Sequence, residues 1–262
     1  MVCHGGVTSE LHIYTQNVYG LPFTDRRRRF DALARQIREL SPDVVFLQEV
    51  LFKGDDAHFQ VEGYHRAFVP SGPWNRGGLL TLSRTPIRRV RFQPFRAQGA
   101  WHNRQLSDRL LGKGWLEAEV PAWGLTLVNT HLVSTYREEH AFVHDHGQRA
   151  QLDELLQAVR AMGPSILAGD FNFAEGTPFH ARAQAHVEDV ARGLSRTRLR
   201  DLMPRLDHIF VRQLGWQEAR ARLVLPGSLT ANGRSRAWSD HAGVSVHLDL
   251  GWLDAAVQPV NA

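Results

Sequence analysis

The first fifty residues alternate between two hydrophobic patterns. Residues 11–19 are rich in aromatic and β-branched side chains and predict a strand that ends at Gly20, Leu21 and Pro22. After it, Thr24 or Asp25 can cap a helix with one apolar face, formed by Phe30, Leu33, Ile37 and Leu40. Residues 44–47 are continuously apolar, which is typical of a strand that is buried on both faces.

The rest of the chain mixes these patterns. Residues 148–162 have helical spacing of leucine and valine, and residues 165–168 form a second short apolar run. Further strands are predicted at 78–83, 87–92, 115–120, 125–131, 206–211 and 243–248. Many strands with few helices indicate an α/β protein in which two β-sheets pack together and helices lie outside.

Composition narrows this picture. The 262 residues contain no linker-like segment, so we expect one domain over 10–250, a flexible N-terminus at 1–9 and a tail at 251–262. No apolar run reaches the roughly 18 residues of a membrane span. Residues 1–9 lack the apolar core of a signal peptide, and the lone Cys3 is typical of a reducing compartment, so we expect a cytoplasmic protein. A secreted mature chain is the alternative.

The formal net charge of +4 comes mainly from arginine. It is compatible with an anionic substrate, and it is also common in ordinary proteins. Residues 26–29 are four consecutive arginines in the first turn of the predicted helix, where a solvated face is the favoured interpretation and phosphate contact the alternative.

Four short polar strings stand where predicted strands meet loops. They are Gln48-Glu49, Asn129-Thr130-His131, Gly169-Asp170-Phe171-Asn172 and Ser239-Asp240-His241. Strand ends from distant parts of an α/β chain can converge on one cleft. A cleft with carboxylates, amides and imidazoles, and without a recognisable nucleophilic Ser or Cys, favours metal-assisted attack of water on phosphorus.

Each side chain suits a part of that chemistry. Glu49 can bind a hard cation such as Mg²⁺, Asp170 can accept a proton from water, and Asn172 can donate to a phosphoryl oxygen. His131 can stabilise developing negative charge. Asp207 lies among apolar residues, so its carboxylate needs a partner, and the imidazole of His241 is a suitable one. His140, His144 and His146 form an alternative candidate metal cluster.

Taken together, the strings resemble the endonuclease/exonuclease/phosphatase superfamily, over residues 17–241 and in that family's order. The resemblance implies a four-layer α/β sandwich of two mixed sheets flanked by helices. It also implies Mg²⁺, with Mn²⁺ as a substitute. The implied roles are Glu49 as main metal ligand, Asn17 and Asp240 at the metal, Asp170 on the attacking water, Asn172 and His131 in the transition state, and Asp207 paired with His241.

Within this superfamily the motifs Asn129-Thr130-His131-Leu132 and residues 17–22 are similar to neutral sphingomyelinases. Asp108 and Lys113, five residues apart before Gly114, resemble that branch's substrate-phosphate contacts. We therefore expect a monomeric phosphodiesterase that hydrolyses a phospholipid headgroup. The alternative is an endonuclease or exonuclease acting on DNA or RNA.

Overall fold

The computed structural model describes residues 10–21, 25–98, 112–134, 146–194, 196–197, 205–231 and 234–250. Strands and helices are numbered along the chain. The first six-stranded sheet has the spatial order β13 (Glu218–Val224), β16 (Gly243–Asp249), β1 (Glu10–Asn17), β2 (Val44–Gln48), β6 (Leu80–Ser83) and β3 (His65–Ala67). The second has the order β11 (Glu188–Asp189), β12 (Asp207–Arg212), β10 (Ser165–Asp170), β9 (Leu125–His131), β8 (Gly114–Val120) and β7 (Arg88–Pro94).

Smaller elements complete the described part of the chain. The two-stranded hairpins are β4 (Pro70–Ser71) with β5 (Trp74–Asn75), and β14 (Ser228–Ala231) with β15 (Arg234–Ala237). The α-helices are α1 (Arg26–Leu40), α2 (His146–Ala161) and α3 (Pro178–Gln184). Both large sheets are mixed, because β1 and β2 run parallel, as do β9 and β10, while the other paired strands are antiparallel.

The apolar run of β2 shows why the chain forms layers. Successive side chains of a strand point to opposite faces. Val44 and Phe46 therefore face the core between the two sheets, whereas Val45 and Leu47 pack with the residues of α1. A strand buried on both faces, as the continuous run predicts, requires this arrangement.

Helices cover the outer faces of the two sheets. Phe30, Leu33 and Ile37 of α1 pack on the first sheet. On the second sheet, α2 packs through an apolar stripe that consists of Leu152, Leu155, Leu156 and Val159. The order helix, sheet, sheet, helix confirms the predicted four-layer α/β sandwich.

Elements that the sequence did not predict are short or polar. Strand β13 alternates small alanines, which pack on the inter-sheet core, with the exposed Arg220 and Arg222. Alanine and arginine have a weak preference for strands, so β13 is stabilised mainly by its hydrogen-bonded pairing with β16. Helix α3 has seven residues and is capped by Thr177, whose hydroxyl accepts the backbone N–H of His180.

At the start of α1, the predicted cap is wrong for Asp25 and stays a prediction for Thr24, and the prediction for the arginine run needs correction. Asp25 precedes the helix in the left-handed region and makes no side-chain capping bond; Thr24 lies outside the described residues. The arginine run is also not a uniformly solvated face. Arg27 and Arg28 are exposed, but Arg29 is only 4% exposed, because it lies one turn before Leu33 on the buried side of the helix.

No α-helix in the described ranges is long and apolar enough to span a membrane. Among the predicted positions, Cys3, Asp108, His140 and His144 lie outside the described residues, so their predicted roles stay predictions. His146 is described and is exposed at the start of α2.

Candidate active site

The strand directions bring the predicted polar strings to one end of the sandwich. The parallel strands β1 and β2 end there in the first sheet, and β9 and β10 end there in the second. Strands β8, β12 and β16 run antiparallel to these neighbours, so they begin at the same end. Side chains that are far apart in sequence therefore meet at the gap between the two sheets.

Glu49 follows β2 directly, in a left-handed conformation with φ of 65°. Its Oε1 accepts a hydrogen bond from Nδ2 of Asn17 at 3.0 Å, and its Oε2 accepts one from the N–H of Gly20 at 3.0 Å. A Cβ atom at Gly20 would lie 1.8 Å from the carbonyl oxygen of Glu49, so this position requires glycine. Burial raises the pKa of Glu49, and the charge of Lys113 opposes that shift.

Asp170, the last residue of β10, faces Glu49 across Asn17. Its Oδ2 accepts a second hydrogen bond from the same Nδ2 of Asn17 at 3.0 Å, and its Oδ1 accepts the N–H of Asn172 at 3.0 Å. Burial, followed by the charge of Asp207, raises the pKa of Asp170 to about 7. A carboxyl group with this pKa can both release and accept a proton near neutral pH.

Asn17 and Asn172 present particular amide atoms. The Oδ1 of Asn17 accepts the N–H of Tyr19 at 3.0 Å, so its nitrogen, not its oxygen, points to the two carboxylates. Asn17 thereby holds Glu49, which is a predicted metal ligand, and Asp170, which is predicted to act on the attacking water. The role of Asn17 itself as a metal ligand stays a prediction. Nδ2 of Asn172 donates to the carbonyl of Leu132 at 2.8 Å and retains one further N–H.

Asp207 and His241 form the predicted acid–imidazole pair. Nδ1 of His241 lies 2.8 Å from Oδ2 of Asp207, and Nε2 of His241 lies 3.9 Å from Oδ2 of Asp170. Burial alone would lower the pKa of His241, but the charge and hydrogen bond of Asp207 raise it to about 10. The ring is therefore an imidazolium at neutral pH.

His131 differs from His241 in charge. Its Nε2 lies 3.5 Å from Oδ2 of Asp170. Burial, with the positive charges of Lys113 and His241, holds the pKa of His131 well below its usual range. The site therefore contains a neutral imidazole and a cationic one on the same carboxylate. Lys113, buried just before β8, also lowers the pKa of Asp170 and of Glu49.

Asp240 stands at the open side of this group. It is half-buried, and its negative charge raises the pKa of Glu49 and of His241. Arg29 lies behind it: the guanidinium donates to the carbonyls of Val18, Tyr19 and Trp238 at 2.8–3.1 Å. Arg29 therefore ties the loop after β1 to the loop that carries Asp240 and His241.

Several supporting residues were missed from the sequence. Nε2 of Gln48 donates to Oδ1 of Asn129 at 2.9 Å, and the amide of Asn129 donates to the carbonyls of Leu47 and Leu80, so these side chains join the two sheets below the site. Both belong to the polar strings, but only the fold shows that they are structural. For Arg29 a signal existed, since its helical spacing to Leu33 places it on the buried face.

Metal-binding geometry can be tested at two clusters in the described residues. One is Asp170, Asp207 and His241, whose ligand atoms lie within 4.8 Å of one another beside Glu49 and Asn17. The carboxylates of Glu49 and Asp170, whose pKa values burial raises, provide the oxygen donors that a hard divalent cation prefers, and a cation would offset their desolvation. These carboxylates fit such an ion, whereas the imidazolium of His241, which is paired with Asp207, is not among the groups that would hold it.

The other cluster is His180, Asp189 and His208. There, Nη2 of Arg205 lies 2.6 Å from Oδ2 of Asp189, the same oxygen that faces both imidazoles. A buried guanidinium already neutralises this carboxylate and would repel a cation. This cluster does not fit a metal ion.

The fold and the carboxylate–imidazole site define a class of hydrolytic enzymes. The model of the Endonuclease/Exonuclease/phosphatase family matches residues 14–241, and the chain belongs to that family. Members of the family are hydrolytic phosphodiesterases or nucleases.

Three comparisons show what the chain is similar to. A putative neutral sphingomyelinase of Drosophila melanogaster is 28% identical over 92% of this chain, and the chain spans 61% of that protein's length. TDP2 of D. rerio with 14 humanizing mutations superposes with a TM-score of 0.70 at 21% identity, over 92% and 99% of the two chains. A mutant beta toxin of Staphylococcus aureus with bound magnesium ions superposes with a TM-score of 0.70 at 18% identity, over 91% of this chain and 99% of the toxin chain. The two structures establish the shared fold.

Proposed function

We propose that this protein is a Mg²⁺-dependent phosphodiesterase that attacks a phospholipid headgroup in the manner of a neutral sphingomyelinase. The observation that carries the proposal is that Nδ2 of Asn17 donates to the carboxylates of both Glu49 and Asp170, beside the Asp207–His241 pair. At the second acid–histidine cluster, by contrast, Arg205 neutralises Asp189.

The proton chemistry follows from the charges of the site. Asp170, with a pKa of about 7, accepts the proton of the attacking water, and Asn172 holds its Oδ1 through a backbone N–H. The imidazolium of His241 and the ammonium of Lys113 stabilise the charge that develops on the phosphoryl oxygens. Neutral His131 donates one hydrogen bond without adding charge.

The residues that would hold the cation are Glu49 and, at the open side, Asp240, with Asn17 and Gly20 fixing the Glu49 carboxylate. The two neighbours that support a magnesium or sphingomyelinase assignment are the beta toxin, which was solved with magnesium ions, and the Drosophila relative. When bound, Mg²⁺ supplies charge neutralisation of the phosphate and acidifies water. Mn²⁺, with similar ligand preferences, is proposed as a substitute.

The substrate class is tested by one assay panel. Purified protein with Mg²⁺ is assayed on sphingomyelin micelles, lysophospholipid, supercoiled plasmid and bis-nitrophenyl phosphate. Turnover of sphingomyelin that chelator abolishes and Mg²⁺ restores is the expected result. Plasmid cleavage without lipid turnover would replace the lipid proposal with the nuclease alternative. Inactivity on all four substrates would overturn the proposed function.

Glu49 provides the sharpest test of the metal. Glu49→Gln removes one charge and keeps the shape, so the Mg²⁺ concentration for half-maximal activity is expected to rise at least ~10-fold. Glu39→Gln, at an exposed position of α1, is the matched control. Equal Mg²⁺ requirements in the two variants would refute the assignment of Glu49.

Lys113 separates the two substrate classes. If the Lys113 ammonium binds a desolvated substrate phosphate, Lys113→Ala lowers the rate constant and raises the Michaelis constant on lipid micelles. For a nuclease, the loss would chiefly flatten the salt dependence of plasmid cleavage by about one charge. The exposed Lys53→Ala is the control, and it is expected to change neither measurement.

A further inference from the structure

Thr197 is hydrogen-bonded to the backbone beside both members of the Asp207–His241 pair, and neither the motifs nor the family resemblance assigns it a role. It is fully buried. Its Oγ1 accepts the backbone N–H of Leu206 at 2.9 Å and that of Asp207 at 3.3 Å. Its carbonyl accepts the N–H of Ala242 at 2.6 Å. One residue thus bonds to the start of β12 and to the residue that follows His241.

The two members of the pair belong to different sheets. Asp207 begins β12 in the second sheet, and His241 lies just before β16 in the first. The 2.8 Å contact between Nδ1 and Oδ2 therefore depends on how the beginnings of these two strands sit relative to each other. In the described part of the chain, β12 and β16 belong to different sheets and are not paired by ladder hydrogen bonds.

The side of His241 that faces the first sheet is fixed without Thr197. The N–H of His241 donates to Oγ of Ser239 at 3.0 Å, and Oγ of Ser239 donates to the carbonyl of Asn17 at 2.6 Å. Nε2 of Gln16 donates to the carbonyl of His241 at 2.8 Å. These bonds hold His241 to β1, but they do not fix its distance to β12.

We infer that Thr197 is a positioning residue that holds Asp207 and His241 at hydrogen-bond distance, because it bridges the start of β12 to Ala242, the residue just before β16. The inference deepens the proposed hydrolysis and rests on it. The side-chain hydroxyl of Thr197 fixes the backbone position of Asp207, and the carbonyl of Thr197 fixes that of Ala242. A misplacement of about 1 Å in such a pair can cost ~10²-fold in rate, although the residue touches no substrate.

The test replaces the hydroxyl and keeps the shape. Thr197→Val is expected to lower kcat on bis-nitrophenyl phosphate by about 10- to 100-fold, with KM changed less than about threefold. Thr197→Ser, which retains the acceptor, is expected to restore kcat to within about threefold of wild type. A serine variant as slow as the valine variant would overturn the role of the hydroxyl.

Thr177→Val is the matched control. Thr177 also accepts a backbone N–H, but at the start of α3, so its loss is expected to lower the melting temperature and leave kcat unchanged. Equal kcat in Thr197→Val and Thr177→Val would overturn the inference. If Thr197→Val does not fold, Thr197→Ala carries the same comparison, since it adds no methyl group against the buried N–H groups.

A double-mutant cycle tests whether Thr197 acts through the pair. In an Asp207→Asn background, Thr197→Val is expected to change kcat by less than about twofold, because the orientation it protects is already lost. Full additivity of the two effects would contradict the inference.

A spectroscopic measurement separates this inference from the proposed function. The hydrogen-bonded Nδ1 proton of His241 should give a low-field proton resonance, assigned by its absence in His241→Ala. Loss or shift of this resonance in Thr197→Val, but not in Thr177→Val, supports positioning even if wild type hydrolyses none of the panel substrates. An unchanged resonance would overturn the inference while leaving the proposed function standing.

Discussion

Asp207 and His208 are neighbours in β12, yet they belong to two clusters of the same residue types. Asp207 points to the inner face and pairs with His241. His208 points to the outer face and joins a sealed network, defined here as His180, Asp189, Arg205 and His208. Both clusters are buried, so burial and residue type do not distinguish them.

The charges do distinguish them. In the sealed network, Asp189 accepts hydrogen bonds from Arg205, His180 and the N–H of Ala191. Burial alone would raise the pKa of Asp189, but its contacts with the two imidazoles and Arg205 hold it far below its usual range. At the site, Oδ1 of Asp207 has no hydrogen-bond partner among the described residues.

A permanent counter-ion therefore determines whether a buried acid–histidine cluster can exchange protons or bind a ligand. Arg205 satisfies Asp189 permanently, so the sealed network has no proton or ligand to exchange. At the site, burial and the charge of Asp207 raise the pKa of Asp170 to about 7, although Asn17 and His241 oppose this shift. Carboxyl groups with strongly shifted pKa values and no fixed guanidinium partner are typical of functional sites.

The largest expected effect is on stability in the sealed network. Arg205→Met removes the counter-ion and leaves Asp189 as a buried uncompensated charge, which is expected to cost about 3–5 kcal/mol in the free energy of unfolding. Urea unfolding measures it. The double variant Arg205→Met with Asp189→Asn should recover at least half of that loss. A single variant as stable as wild type would break the comparison.

The pH dependence of stability is expected to have opposite signs in the two clusters. Asp170 has its folded pKa raised from 3.8 to about 7, so the unfolded chain ionises first and stability falls as pH rises from about 4 to about 7. Asp189 has its folded pKa depressed, so its contribution is present above its ordinary pKa and is lost on further acidification.

Chelator-treated protein allows this measurement without bound cation. Asp170→Asn should remove the stability loss between about pH 4 and pH 7, and Asp189→Asn should remove part of the loss at lower pH. Identical pH profiles for the two variants would show that the clusters do not differ in the way their charges imply.

Catalysis should depend on one cluster only. His241→Ala is expected to lower turnover by at least ~10²-fold, the low end for a positioned proton-transfer group, while the protein stays folded. Asp207→Asn should be less severe, because it disturbs only the orientation of His241. Steady-state kinetics and circular dichroism provide the readout. A His241→Ala enzyme with normal turnover would remove the centre of the mechanism.

The smallest expected effect is at His180. His180→Gln keeps a side-chain donor toward Asp189, so the free energy of unfolding should change by no more than about 1 kcal/mol. Turnover should stay within about twofold of wild type. A large loss of turnover without loss of stability would place the sealed network in the catalytic machinery and so contradict the comparison.

The sequence predicted the layers because apolar period and length determine them. The run at residues 44–47 required burial on both faces, and Asp207 among apolar neighbours required a partner, which is His241. The sequence did not predict β13, which forms because it pairs with β16, and it did not predict the role of Thr197. Bonds from a side chain to a distant backbone depend on loops that only the folded chain brings together.

The distinction between the two clusters was equally hidden in the sequence. Arg205 stands two residues before Asp207, but its guanidinium turns to Asp189, on the opposite face of β12. From the sequence alone, Arg205 would therefore be taken as the partner of Asp207, whereas its actual partner is Asp189. Sequence spacing identifies which residues carry charge, whereas the pleat of the strand decides which charges meet.

The Gln48–Asn129 bridge below the site has a consequence for how the chain acquires activity during folding. Glu49 and His241 belong to one sheet, and Asp170 and Asp207 to the other, so neither sheet alone holds a working set of groups. Two contacts across this gap, Gln48–Asn129 and Asn17–Asp170, join residues 81 and 153 positions apart, and we expect them to form late because long loops must close first. Recovery of turnover after dilution from denaturant therefore reports the docking of the two sheets, and it should lag behind the return of secondary structure.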